Sequence, residues 1–106
     1  MTDCVQVSTT IDSETRAREL ARRLVEERLA ACVQIAGPLA STYRWEGRVE
    51  EATEWLLLIK TTAAAVEQLS GRIRALHSYT QPEIIATPIT AGDPRYLEWI
   101  AAEVAG

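Results

Sequence analysis

The sequence predicts an α+β fold of the ferredoxin-like type, with the element order βαββαβ and a further helix at the C-terminus. Two observations support this. Four segments carry the alternating or continuous apolar pattern of β-strands. Apolar residues recur at helical spacing in the segment after the first strand and in the segment before the fourth. Right-handed crossovers then place both main helices on one face of a four-stranded antiparallel sheet.

The first strand is predicted over Cys4 to Ile11, CVQVSTTI, and Asp12 or Ser13 can cap the helix that follows. That helix is predicted from Glu14 to Leu29. Its apolar residues fall at positions i, i+3, i+4, i+7 and i+8, and they are Ala17, Leu20, Ala21, Leu24 and Val25. Arginines and glutamates occupy the other side, so the helix packs by one face.

Two long strands come next and predict a hairpin. The first runs from Cys32 to Trp45, with a kink or bulge expected at Gly37-Pro38. EGRVEE forms the turn, and ATEWLLLIKT returns as the second strand. The acidic run EEATE, residues 50–54, is interpreted as a solvated turn and strand edge.

A second helix and a fourth strand complete the sheet. Thr61 or Thr62 is the expected cap of the helix, whose apolar stripe is Val66, Leu69, Ile73 and Leu76. The fourth strand is predicted within PEIIATPIT, where Pro88 favours an edge position or a bulge.

The last helix is predicted to begin at Asp93-Pro94, a capping residue followed by proline at the first helical position. The residues expected to face inward are Leu97, Ile100, Ala101 and Val104. Tyr96 and Trp99 lie off that stripe and add an apolar flank that fits a subunit contact.

The third strand predicts what covers the other face of the sheet. Trp55, Leu57 and Ile59 point to one side, and Leu56 and Leu58 point to the other. A strand with one solvated face should alternate apolar and polar residues, and this one does not. We therefore expect the second face to be buried against another copy of the chain.

Composition narrows the function. The 106 residues are 47% hydrophobic and 25% charged, which is typical of a single globular domain over 1–106. A net charge of −4 disfavours binding to nucleic acid or to an anionic membrane. The N-terminus has no signal-peptide pattern, and two cysteines fit reduced thiols, so a cytoplasmic location is expected. Common catalytic and phosphate-binding motifs are absent, which predicts a protein that is not an enzyme and requires no cofactor.

The stretch LHSYTQPEI contains the single histidine of the chain, His77, followed by Tyr79 and Glu83. Histidine suits metal binding or proton transfer near neutral pH. The alternative is that His77 ends a helix, favoured there by the helix dipole. Cys32 has two interpretations as well, a small buried apolar residue or a metal ligand.

Other candidates for a site are also open to two interpretations. Lys60, the single lysine, suits an anion site, or it extends its charge into water from a strand end. Glu83 is either a surface acid or a partner of Lys60 or His77. Tyr43 and Trp45 share one face of their strand, as a packing patch or as a surface on which a ligand stacks.

Five segments, in this order and spacing, closely resemble the CutA family of divalent-cation tolerance proteins: ERLAACVQI, YRWEGRVEE, LLLIKT, LHSYTQPEI and ITAGDPRYLEW. The resemblance covers nearly the whole chain. It implies a homotrimer of ferredoxin-like subunits, similar in plan to the PII signalling proteins, whose long hairpin reaches onto a neighbour. It also implies a role in tolerance of copper and other divalent metals.

The resemblance implies metal-binding roles for Cys32 and His77, and a ligand cleft containing Tyr43, Trp45, Lys60, Tyr79 and Glu83. Many relatives have a second cysteine where this chain has Thr9-Thr10-Ile11. Three hypotheses follow: a trimeric protein that binds copper or another divalent metal ion, a PII-like sensor that binds a small anionic ligand through Lys60 and Arg44, and a structural trimer.

Overall fold

The computed structural model describes residues 2–105 and contains the predicted order of elements. The strands are β1 (Cys4–Ile11), β2 (Cys32–Trp45), β3 (Arg48–Thr62) and β4 (Ile85–Pro88). The helices are α1 (Glu14–Glu26), α2 (Val66–Leu76) and α3 (Pro94–Glu103), and a single 3-10 turn, Ala63–Ala65, leads into α2. The βαββαβ order and the C-terminal helix are confirmed.

The four strands form one antiparallel sheet in the order β2-β3-β1-β4. The shortest strand, β4, lies at an edge, and Pro88 is its last residue, opposite Val5. An edge position suits proline, which has no backbone N–H to donate to a second neighbour. The expectation for Pro88 is confirmed.

The hydrophobic core lies between one face of the sheet and helices α1 and α2. The strands contribute Val7, Ile11, Leu57 and Ile59, and the helices contribute Ala17, Leu20, Leu24, Leu69 and Ile73. All of these side chains are buried. The predicted stripes of both helices therefore face this core.

Helix α1 is shorter than predicted and ends at Glu26, not at Leu29. Arg28 adopts a positive φ of 60°, and the amides of Leu29 and Ala30 both donate to the carbonyl of Leu24. This turn directs Leu29 into the core after the helix has ended. Val25, at the edge of the apolar stripe, is 40% exposed and not inside as expected.

The prediction that Thr61 or Thr62 caps the second helix is wrong. Thr61 is buried within β3, and its hydroxyl donates to the carbonyl of Leu29 at 2.7 Å. Thr62 precedes the 3-10 turn but makes no side-chain capping bond there. The Asp93 cap is confirmed, since its carboxylate accepts from the amides of Arg95 and Tyr96.

Helix α3 packs at one end of the sheet, on the face opposite α1 and α2. Ile100 and Val104 are buried in a second apolar cluster with Cys4, and Leu97 packs against its edge. Ala101 is exposed, so the expectation that it faces inward is wrong in the isolated chain. Among residues 2–105, no helix is long and apolar enough to cross a membrane.

The rest of that second face carries partly exposed apolar side chains. Leu57 and Ile59 are fully buried on the core side, whereas Leu56 and Leu58 are half-buried on the other side. Ile85 of β4, which lies on the same side as Leu58 through the register with Ser8, is 53% exposed. The apolar character of both faces of β3 is therefore confirmed.

A bulge in β2 decides which residues meet at the far end of the sheet. The register with β3 shifts between Ala36 and Leu39, where Gly37-Pro38 is inserted. Even-numbered residues of β2 share a face with the even-numbered residues of β3 before the bulge, and odd-numbered residues do so after it. Tyr43 and Trp45 therefore lie on the same face as Glu54.

Candidate functional site

A groove with a volume of about 670 Å³ lies on the open face, at the end of the sheet away from α3. The far half of the β2–β3 hairpin forms one wall, and the segment that follows α2 forms the other. The side chains that define it are Tyr43, Trp45, Glu54, Tyr79 and Glu83. Four of the five predicted cleft residues therefore meet here, and Glu54 joins them.

Glu54 is the buried acid of this groove. Glu54 is 5% exposed, and its Oε2 accepts a hydrogen bond from the Tyr79 hydroxyl at 2.8 Å. Burial and the nearby Glu54 carboxylate raise the pKa of Tyr79 above its usual range, so Tyr79 stays a donor. The interpretation of residues 50–54 as a solvated edge is wrong for Glu54, because Tyr79 covers it.

His77 connects the C-terminal end of α2 to the segment that lines the groove. Its amide donates to the carbonyl of Ile73 at 2.9 Å and completes the last turn of the helix. Ring atom Nδ1 accepts from the Tyr79 amide at 3.0 Å, so Nε2 carries the proton and donates to the carbonyl of Thr10 at 2.7 Å. Both ring nitrogens are thus engaged, and His77 fixes the position of Tyr79.

Cys32 lies at the other end of the open face, at the start of β2. It is half-buried, opposite Lys60 in the register and in contact with Tyr96 of α3. Burial and contact with Cys32 raise the pKa of Tyr96. Cys32 pairs with Lys60, and the Thr10 that bonds to His77 pairs with Leu56, four positions away, which is about 13 Å along the strands. Cys32 and Thr10 also lie on opposite sides of β3, which adds two inter-strand spacings to their separation.

One chain therefore does not bring Cys32 and His77 together. Within the described part of the sequence, no group of three or more His, Cys, Asp or Glu side chains could hold a metal ion. A site that uses both residues would have to combine them from two different chains.

Lys60 is the predicted cleft residue that lies outside the groove. Its Nζ donates to Gln34 Oε1 at 2.6 Å, beside Cys32. Arg44 pairs with Val49, eleven residues along β3 from Lys60, so the two cations lie roughly 35 Å apart along the strand. Glu83 lines the groove at the opposite end from Lys60, and a Glu83–Lys60 pair is not formed within one chain.

Comparison with known proteins identifies the family. The family model described as "CutA1 divalent ion tolerance protein" matches residues 5–103. The chain belongs to the CutA1 family.

Two sequence relatives and one solved structure show how close the match is. The Divalent-cation tolerance protein CutA of Thermus thermophilus is 55% identical over 91 residues, which cover 86% of this chain and 88% of that protein. Protein CutA, chloroplastic, of Arabidopsis thaliana is 43% identical over 91% of this chain, which spans 53% of the plant protein. A Thermus thermophilus Cut A1 structure superposes with a TM-score of 0.94 at 50% identity, covering 96% of this chain and 99% of that one.

The partly buried hydrogen bond between Tyr79 and Glu54 can be tested by its pH dependence. Tyr79→Phe removes the donor to Glu54 and should lower the free energy of unfolding at pH 7 by about 1.5–3 kcal/mol, as for other bonds to charged groups. Because the folded-state pKa of Tyr79 is raised, this stabilisation is complete below about pH 10, the unfolded-state value, and is lost as the pH rises further.

Denaturant unfolding of wild type and Tyr79→Phe at pH 7, 9 and 11 measures this difference. The gap should shrink between pH 9 and 11. Tyr43→Phe is the matched control, because Tyr43 lines the same groove without bonding to Glu54. An equal loss of stability in both variants would contradict the assigned role of the Tyr79–Glu54 bond.

Proposed function

We propose that this chain forms a homotrimer in the cytoplasm and contributes to tolerance of divalent metal ions, copper among them, by binding the ion. In this proposal the chain acts as one domain over 1–106, catalyses no reaction and requires no cofactor. The long β2–β3 hairpin reaches onto a neighbouring subunit. Membership of a family described as divalent ion tolerance proteins supports the general role.

The proposal rests on the negative charge of the groove. Glu54 and Glu83 line it, and no lysine or arginine is among its lining side chains in residues 2–105. Carboxylate oxygens bind divalent cations, and a buried carboxylate such as Glu54 attracts them more strongly than a solvated one does. A cation is therefore the ligand that this groove favours on electrostatic grounds.

Cys32 and His77 are the proposed ligands for softer ions. Thiolate and imidazole select copper or zinc over magnesium. Since the two residues lie apart within one chain, we propose that a neighbouring subunit completes the shell. Binding through the ring of His77 would also displace one of its hydrogen bonds, to Thr10 or to Tyr79.

Calorimetric titration with copper(II), zinc and magnesium tests the groove. Wild type should bind copper(II) and zinc in the micromolar class and magnesium more weakly. Glu54→Gln and Glu83→Gln should each weaken zinc binding about tenfold, or about 1.4 kcal/mol. Glu51→Gln, which removes an exposed carboxylate from the opposite face of β3, is the matched control. Identical titrations for all four proteins would exclude the groove as the metal site.

A PII-like small-ligand sensor is the second candidate, and the size of the groove favours it. At about 670 Å³ the groove falls within the roughly 300–1,000 Å³ of small-molecule sites. A small anionic ligand held by Lys60 and Arg44 was the expected form of this function. Those two cations do not converge within one chain, so in this version of the sensor they would act from different subunits.

A further inference from the structure

We propose that the groove between the β2–β3 hairpin and the 77–83 segment binds a small organic ammonium ion, held between aromatic side chains and the Glu54 and Glu83 carboxylates. The inference rests on the second proposed function, ligand binding at this groove, and names the chemical class of the ligand.

Three aromatic side chains line the groove. Tyr43 and Trp45 project from the same face of β2 and are 43% and 44% exposed. Tyr79 stands on the opposite wall, close enough to Tyr43 for that residue to contribute to the raised pKa of Tyr79. Aromatic faces attract cations, and alkylammonium groups most of all, because such ions are weakly hydrated and fit against a ring. These rings line a concave surface and have not packed into the core.

The carboxylates supply the charge for such a ligand. The salt bridges among residues 2–105 involve Glu14, Glu26 and Glu27, and none involves Glu54 or Glu83. Glu54 is buried, and the Tyr79 hydroxyl bonds to its Oε2 without supplying a positive charge. A buried carboxylate is costly without a cationic partner. An ammonium ion in the groove would provide that partner.

Other charges near the groove leave its sign unchanged. Arg48 of β3 pairs with Trp45, and Glu50 of β3 pairs with Tyr43 on the same face. The positive charge of Arg48 and the negative charge of Glu50 therefore offset each other. A metal ion alone would use the carboxylates but would leave most of the volume and the Trp45 side chain unused. A small anion would meet Glu54 and Glu83 directly. An organic cation is the class that uses both the aromatic walls and the acids.

Choline and its uncharged isostere 3,3-dimethylbutan-1-ol, titrated into the full-length protein by calorimetry, test the proposal. Choline should bind at least about tenfold more tightly than the alcohol, since the two differ in charge and hardly in shape. Trp45→Leu and Glu54→Gln should each weaken choline binding about fivefold or more. If Glu54→Gln does not fold, Glu83→Gln carries the charge test.

Trp99→Leu is the matched control, because Trp99 is an equally exposed tryptophan on α3, outside the groove. It should leave choline binding unchanged. Because Trp99 is also expected at a subunit contact, light scattering first establishes that each variant keeps the assembly state of wild type. Arg48→Gln should strengthen choline binding, because it removes the cation nearest to Trp45 in the register.

Equal binding of choline and the alcohol would overturn the proposal and identify an apolar pocket. Absence of choline binding would overturn it as well. In that case zinc binding that depends on Glu54 would still support the metal proposal, so the two can fail separately. Binding of citrate that Trp45→Leu abolishes would also overturn the inference and favour the anion sensor.

Discussion

Leu58→Asp is expected to convert the proposed trimer into monomers. Leu58 lies half-buried on the open face, two residues along the strand from Leu56, and Ile85, two strands away on the same face, is 53% exposed in the isolated chain. Soluble monomers seldom expose apolar patches of this kind. If a trimer buries this face, the variant places three carboxylates in an apolar interface, at an effective cost of several kcal/mol for each ion. Light scattering should report near three times 11.7 kDa for wild type and near 11.7 kDa for the variant.

Val25→Asp is the control for that experiment. Val25 is an exposed apolar residue of α1, on the opposite side of the sheet from Leu58, so its replacement should leave the trimer intact. If the proposed trimer forms, unfolding is coupled to its dissociation, so the melting temperature of wild type should also rise with protein concentration when melting is reversible. A trimer of full strength in Leu58→Asp would place the subunit contact elsewhere.

The fold was predictable because its signals are local. Successive residues of a strand point to opposite faces, so the apolar run Leu56 to Ile59 predicts that both faces of β3 are apolar without knowledge of any neighbour. The errors occurred where a tertiary contact changed a local preference. Thr61, a good capping residue, is used instead to bond the Leu29 carbonyl inside the core. The same turn that buries Leu29 ends α1 early.

The site was predictable in part. Tyr43, Trp45, Tyr79 and Glu83 were expected in one cleft, and the groove contains all four. Glu54 was missed because Tyr79, which bonds to it and covers it, lies 25 residues further along the chain. Lys60 was placed in the cleft, yet the strand register puts it beside Cys32 at the other end of the face. Lys60 was assigned to the cleft through the family resemblance, and a matched segment does not report which end of a long strand a loop will reach.

Cys32→Ser is expected to weaken copper(I) binding by roughly a hundredfold, or about 2.7 kcal/mol. Copper(I) prefers soft ligands, and Cys32 is a half-buried thiol accessible from the open face. Calorimetry with copper(I) in a non-coordinating buffer measures the loss. Binding should release protons and weaken in acid, because the thiolate and the neutral imidazole are the forms that bind a metal.

Cys4→Ser is the matched control for this measurement. Cys4 is buried, its Sγ lies 3.6 Å from the carbonyl oxygen of Leu97, and burial raises the pKa of its thiol, so it should bind little copper. Equal losses in Cys4→Ser and Cys32→Ser would contradict a specific site at Cys32.

His77→Ala separates the two roles of the histidine in the same titration. If His77 is a ligand, the variant should lose copper affinity, and copper binding to wild type should weaken as the pH falls. If His77 only joins α2 to the groove, copper binding should not change, while the melting temperature should fall because the bonds to Thr10 and Tyr79 are lost. Loss of copper affinity in Cys32→Ser but not in His77→Ala would therefore refute the paired site and leave the thiol to act with ligands of a neighbouring subunit. Because both ring nitrogens of His77 are already hydrogen-bonded, a ligand role must break the bond to Thr10 or the bond to the Tyr79 amide. A change in tyrosine absorbance on copper binding would report the second case.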